Sequence, residues 1–130
     1  MAFELKVLGP TDVALGKRVH EQLRAVFSEE ELDSEEEMLA ELRGEHESCA
    51  LVAVVAFHPL RPDQGPDTPL EQRDIGGLCL WEYFGTSQCY LFTYLWIDET
   101  LNGRGLGVQV SLKCWEVAVE ARDRGIDGSG

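Results

Sequence analysis

Asn102-Gly103-Arg104-Gly105-Leu106-Gly107 is the stretch from which the rest of the chain is read. It follows Cys89 to Ile97, a run rich in aromatic and β-branched residues that predicts a strand. It precedes a helical pattern with Val108, Leu112, Trp115, Val119 and Arg122 on or near one stripe. Closely spaced glycines let the backbone take positive φ and come close to a ligand. A helix that starts there aims its unpaired amides and the positive end of its dipole at whatever occupies the turn. Arg104 adds a cation whose fork fits phosphate oxygens. Strand, glycine turn and helix together predict an anion site, most naturally for phosphate. Two common phosphate loops do not fit. A P-loop closes on Gly-Lys-Ser/Thr, whereas this turn runs on as Gly107-Val108-Gln109. A dinucleotide fingerprint needs a glycine where Val108 stands, then a further strand bearing an acid.

Working outward, Phe3 to Leu8 alternates well enough for a first strand, and Gly9-Pro10 ends it. Thr11 or Asp12 is placed to cap a helix carrying Val13, Val19, Leu23, Val26 and Phe27, a pattern that Gly16 weakens. Ser34-Glu35-Glu36-Glu37 is a capping box for a second helix, whose buried stripe is Met38, Leu39 and Leu42 and whose stop is Gly44. Ser48 to Phe57 reads as a central strand. His58 to Asp74, with four of the five prolines, reads as an exposed loop of functional or mobile length. Ile75 to Phe84 is the next strand, Gly85-Thr86-Ser87 a turn, and Gly125 ends the last helix. Strand, two helices, three strands and helix imply one domain over 1–130. Its class is α/β (α+β), a mainly antiparallel sheet flanked by helices.

The 130 residues carry 24 acids against 11 Lys plus Arg, a net charge of −13. With 44% hydrophobic and 27% charged residues, the chain has the balance of a folded domain rather than a disordered one. No apolar run reaches the ~18 residues of a membrane span. The N-terminus lacks the basic and apolar regions of a signal peptide, so a cytoplasmic protein is expected. The acidity argues against nucleic acid and membrane as partners. It is uneven: ten acids and one base between Glu29 and Glu47 give that segment −9. The segment reads as a solvated helix face or as a wall that attracts a cationic substrate. Screening over ~8 Å leaves a remote site free to be locally positive. Cys49, Cys79, Cys89 and Cys114 form no C-x-x-C pair and have no histidine at ligand spacing, so reduced thiols and no metal are expected.

The turn resembles the acetyl-CoA loop of the GNAT N-acetyltransferase superfamily. That pattern, Arg/Gln-x-x-Gly-x-Gly/Ala after the fourth strand, is matched by Asn102-x-x-Gly105-x-Gly107. The stretch from Tyr94 to Leu112 is similar to the superfamily's strand–loop–helix core, and the upstream order of elements follows it too. The resemblance implies acetyl-CoA as cosubstrate, with Asn102 and the backbone of Gly103, Arg104, Gly105, Leu106, Gly107 and Val108 around its pyrophosphate. It implies that the strand edge at Leu95, Trp96 and Ile97 pairs with the pantetheine arm. A backbone amide there would polarise the acetyl carbonyl. A neutral amine, held close, would attack directly.

The match departs from the pattern at several points. Asn102 stands for Arg or Gln, and Arg104 can supply the missing charge. A fifth strand and a further helix, which often carries a Tyr that protonates the leaving thiolate, have no counterpart before Asp127-Gly128-Ser129-Gly130. The expected fold therefore lacks the last strand and helix. Leu91 and Thr93 hold no acid where the resemblance places a base, so the similarity of the Tyr-Phe-rich third strand to polyamine acetyltransferases is not followed through. Glu82 is then the candidate base and Tyr94 the candidate acid, each with surface or core packing as the competing role. His20, His46 and His58 show no triad spacing. Trp81, Trp96 and Trp115 read as core or groove lining. Two functions follow. One is acetyl transfer to a primary amine of a small molecule or peptide, with a cationic one favoured by the acidic helix. The other is a noncatalytic module that binds CoA or a protein partner. An exposed sheet edge predicts a homodimer.

Overall fold

The computed structural model describes residues 3–46, 49–84, 87 and 89–123. β1 (Leu5–Val7) leads into α1 (Val13–Val26) and α2 (Glu35–Arg43). Next come β2 (Cys49–Phe57), β3 (Ile75–Phe84), β4 (Cys89–Ile97) and α3 (Leu106–Asp123). The class is α+β. The sheet is antiparallel throughout, in the order β1-β2-β3-β4.

β2 is nearly all apolar because both its faces are covered. Ala53, Val55 and Phe57 join a core with Val19 and Leu23 of α1 and Met38, Leu39 and Leu42 of α2. Val52, Val54 and Ala56 face the other way, onto Leu106, Val110 and Cys114 of α3. Burying a core side chain such as Leu23 or Phe57 contributes about 1.5–3 kcal/mol.

α2 is bounded as its sequence implies. Ser34 Oγ accepts from the Glu37 amide at 3.1 Å, and Gly44 closes the helix at φ +76°. The start of α1 differs. Asp12 is the capping residue, yet its Oδ2 accepts from the Gly9 amide at 2.7 Å and lies 3.5 Å from Lys6 Nζ, so it clamps the preceding turn instead of the helix. Gly16 is a packing device rather than a weakness: a Cβ there would lie 2.9 Å from Leu39 Cδ2, so its absence lets α1 approach α2. Val26, expected on the buried stripe, is exposed.

The stripe assigned to α3 also needs correction. Leu106, Val110, Cys114 and Ala118 are buried, while Val108, Leu112 and Trp115 are exposed, Trp115 at 55%. Small side chains at four-residue spacing let α3 lie close to β2 and β3, and its larger side chains turn outward. The loop after β2 contains a single 3-10 turn, Leu70–Gln72. Buried Arg73 ties it down, with Nη1 donating to Glu4 Oε1 at 2.6 Å and Nη2 to the His58 carbonyl at 3.2 Å. Of the remaining sequence expectations, Ser48, Gly85, Thr86, Gly125 and 127–130 lie outside the described residues.

Candidate functional site

β4 is the last strand of the sheet among the described residues, and the glycine turn follows from its end. Gly77 of β3 permits this close packing. A Cβ there would lie 2.8 Å from Ile97 Cδ1, 3.3 Å from the Trp96 carbonyl and 3.4 Å from Leu106 Cδ2. Asp98 then fixes the exit. Its amide donates to the Gly76 carbonyl at 2.8 Å, its Oδ1 accepts from the Thr100 amide, and its Oδ2 lies 2.8 Å from His58 Nε2. The His58 hydrogen bond holds the Asp98 carboxyl below its ordinary range. The sequence showed no partner for His58, because 40 residues separate the two.

Past Asp98, one 3-10 turn (Glu99–Leu101) buries Leu101 and lifts the chain to the surface. Gly103 and Gly105 take φ +81° and +77°, and beyond the adjacent residues no atom among the described residues lies within 4 Å of where either Cβ would be. Residues 102–105 are exposed, and Arg104 forms no ion pair among the described residues. Leu106, 1% exposed, pins the start of α3. The amides of Leu106, Gly107 and Val108 precede the helix's Gln109-to-Gly105 bond at 3.1 Å and so have no partner within the helix. The turn is open to solvent, with helix-start amides beside a fixed cation.

A second group of residues gathers where β4 meets the α1–α2 side. The register pairs Leu80 with Tyr94 but Trp81 with Phe92, so Thr93 is an extra residue, a β-bulge. Thr93 Oγ1 lies 3.2 Å from Glu82 Oε1 and 3.1 Å from the Leu91 carbonyl, and its one proton serves one of them at a time. Beside it is a small, partly open cavity of about 10 Å³. Leu32, Met38, Leu51 and Leu80 line it together with Asp33, Glu41, Glu82, Thr93 and Tyr94, and the surface it exposes is almost wholly apolar. The Cys49 thiol donates to Glu41 Oε1 at 3.0 Å and lies 3.6 Å from Glu82 Oε2. Burial, with the Glu82 carboxyl against it, pushes Glu41 up to about 8. Burial and the Glu41 contact push the Cys49 thiol upward, and burial raises Asp33. Glu41, Cys49 and Glu82 each present a metal-ligand type of atom within 4.8 Å of the others, a donor set invisible in their spacing.

Both sequence-assigned catalytic residues, Glu82 and Tyr94, line this cavity. Tyr94 is buried, and its hydroxyl donates to the Glu31 carbonyl at 2.7 Å and lies 3.4 Å from the Asp33 amide. His20 Nε2 meets the Asp33 carbonyl at 2.8 Å, so the α1–α2 loop is pinned from two sides. Leu95, Trp96 and Ile97 lie between the bulge and the turn. From Thr93 to Ile97 the strand runs about 14 Å at ~3.4 Å per residue. Sequence reading missed Glu41, although it follows buried Met38 by three positions and therefore shares its helix face. It also missed Cys49 and Asp33, which only the packing of α2 on the sheet unites with Glu82.

A further surface adjoins the turn. Phe92 and Leu95 of β4 and Val108, Leu112 and Trp115 of α3 are exposed, whereas exposed Leu91, opposite Glu82 in the register, lies on the other face of the sheet. Trp81 joins the two sets, with ring centroids 5.9 Å from Phe92 and 6.2 Å from Trp115. In comparisons with protein-family models and with curated proteins, the chain has no match.

Proposed function

We propose that this chain is an N-acetyltransferase that moves the acetyl group of acetyl-CoA to a primary amine of a small molecule or peptide. One observation carries the reading: left-handed Gly103 and Gly105 leave a solvent-open turn at the start of α3, at the end of an edge strand. In this reading, amides from Gly103 to Val108 and the side chains of Asn102 and Arg104 hold the pyrophosphate. The pantetheine arm lies along Leu95 to Ile97, which brings the thioester towards the bulge at Thr93. The amine enters from the α1–α2 side, where Asp33 and Glu82 favour a cation, and Glu82 takes its proton. Tyr94 serves as acid for the thiolate only when its bond to Glu31 opens.

A cationic amine is the partner proposed, and neither nucleic acid nor membrane is. Among the described residues no helix is long and apolar enough to cross a membrane. A cytoplasmic location belongs to the same proposal. Calorimetry with acetyl-CoA tests it directly, and no heat at millimolar ligand removes it.

The exposed apolar row on β4 and α3 favours a second reading, a noncatalytic module that binds CoA or a protein partner, including a second copy through the β4 edge. Thiol release with a panel of primary amines separates the two, because turnover excludes the second. Size-exclusion chromatography tests the homodimer, and a monomer at high concentration rejects it.

A further inference from the structure

A cavity of about 460 Å³ opens between α1, the two ends of the β2–β3 loop and the end of β4. Arg18 and Gln22, one helical turn apart on α1, form one wall, and His58, Arg61, Asp74 and Asp98 form the others. None of these residues belongs to 102–108 or to the group at the bulge. Gly76 gives the cavity its shape. A Cβ there would lie 2.6 Å from Leu101 Cδ1, 3.4 Å from the His58 nitrogen and 3.5 Å from His58 Cδ2, so a bare α-carbon lets His58 and the turn after β4 close on β3 together. The His58 amide donates to the Asp74 carbonyl at 2.9 Å, and the Asp98 amide donates to the Gly76 carbonyl at 2.8 Å. These two backbone bonds set His58 Nε2 2.8 Å from Asp98 Oδ2. Nε2 is the donor, because the same bond holds the Asp98 carboxyl low and ionised. On the neutral ring Nδ1 is then an acceptor, and it has no hydrogen-bond partner among the described residues.

The arginines are held but only partly used. Arg18 gives Nε to the Glu71 carbonyl at 3.1 Å and Nη1 to Glu21 Oε2 at 3.2 Å, which fixes the guanidinium and leaves Nη2 to donate. Arg61 Nε lies 3.5 Å from both Asp63 Oδ1 and Asp74 Oδ2, and its side chain makes no hydrogen bond among the described residues. The cavity therefore sets open donors beside open acceptors, with Arg18 and Arg61 against Asp74 and Asp98. A simple anion placed here meets two carboxylates, and a simple cation meets two guanidiniums. A molecule with both charges meets each with its opposite. Arg61 and Asp74 are neighbours, as are the carboxylate and the ammonium on one α-carbon. A guanidinium fork also matches a carboxylate in shape. We propose that this cavity binds a free α-amino acid, Arg61 and Arg18 taking its carboxylate and Asp74 and His58 Nδ1 its ammonium. The cavity has the size of a small-molecule site, and its mostly polar lining suits a polar side chain. This inference goes beyond acetyl transfer and stands without it.

The test is a 1H–15N NMR titration of the full chain with L-glutamine and with two cut-down analogues. L-glutaminamide lacks the carboxylate, and glutaramate lacks the ammonium. L-glutamine at millimolar concentration should give saturable shifts at the amides of Gln22, His58, Ile75, Gly76 and Asp98, and each analogue should bind about tenfold more weakly. No saturable shift at these amides overturns the proposal, and so do shifts centred on Glu82 and Thr93 or on 102–108. An analogue that binds as tightly as L-glutamine also overturns it, because the site is then one for a simple anion or a simple cation. Two variants assign the contacts. The side chains of Arg61 and Asp74 are 53% and 41% exposed, so replacing either leaves the core intact. Arg61→Ala should weaken L-glutamine about tenfold and erase its advantage over L-glutaminamide. Asp74→Asn should erase its advantage over glutaramate. Wild-type affinity in both variants removes the assignment. Calorimetry with acetyl-CoA reads the glycine turn separately and should be unchanged in Arg61→Ala, so either reading can fail while the other stands.

Discussion

The hydroxyl of Tyr94 donates to the carbonyl of Glu31 at 2.7 Å, joining β4 to the α1–α2 loop across 63 residues of sequence. That loop carries Leu32 and Asp33 over the cavity, so the bond sets the height of the cavity roof. Tyr94→Phe removes the donor and leaves a part-buried carbonyl without it. The expected cost is about 1 kcal/mol, read as a lower urea midpoint at unchanged m-value. A turnover loss above 100-fold in a folded Tyr94→Phe chain would instead assign the hydroxyl to the chemistry.

Gly105 separates backbone strain from ligand chemistry. Its φ is +77° and its side-chain space is empty, so Gly105→Ala should cost only about 1–2 kcal/mol, from the left-handed backbone alone. Gly105→Asp places a carboxylate where the proposed pyrophosphate lies and should abolish binding of acetyl-CoA in calorimetry. Wild-type affinity in that variant would dispose of the phosphate cradle.

Gly77 offers the opposite case. A methyl group there meets Ile97 at 2.8 Å, the Trp96 carbonyl at 3.3 Å and Leu106 at 3.4 Å. A backbone carbonyl cannot step aside as a side-chain tip does. Gly77→Ala should therefore destabilise the chain by about 1–3 kcal/mol, measured by denaturant unfolding. It should also disturb the strand edge that leads into the turn.

Glu41 makes stability depend on pH in a defined direction. Its carboxyl rises from 4.5 to about 8 on folding, with burial as the largest cause. Across that window the folded chain holds a proton that the unfolded chain has already released. Stability is therefore fully present below the lower value and declines as pH rises through the upper one. Glu41→Gln should flatten this slope and make the chain the more stable of the two above the window. Urea midpoints across the window check it, and parallel curves for both chains would contradict it.

Much of the architecture follows from local rules. The capping box at Ser34, the glycine stop at Gly44, and the limits of β3 and β4 rest on interactions within a few residues, and such interactions are written in sequence order. The rotation of α3 was not legible. Its apolar positions outnumber those that one face can bury, and four-residue spacing of Leu106, Val110, Cys114 and Ala118 wins because small side chains permit closer contact with the sheet. Of the expected caps Thr11 and Asp12, Asp12 holds the capping position, but its carboxylate accepts from the Gly9 amide and not from the helix, since the chain before α1 folds back upon it.

The candidate site divides along the same line. By itself the sequence determined the glycine turn and the helix that begins there, because steric freedom at glycine and unpaired helix amides are properties of adjacent residues, while the structure decided that Gly103 and Gly105, and not Gly107, take positive φ. Tertiary structure alone decided that Glu41, Cys49, Glu82 and Thr93 meet. These four come from α2 and three strands, and their approach depends on how a helix packs over a sheet and on one extra residue in β4. Electrostatic coupling follows distance through space, and distance through space exists only once the core has closed.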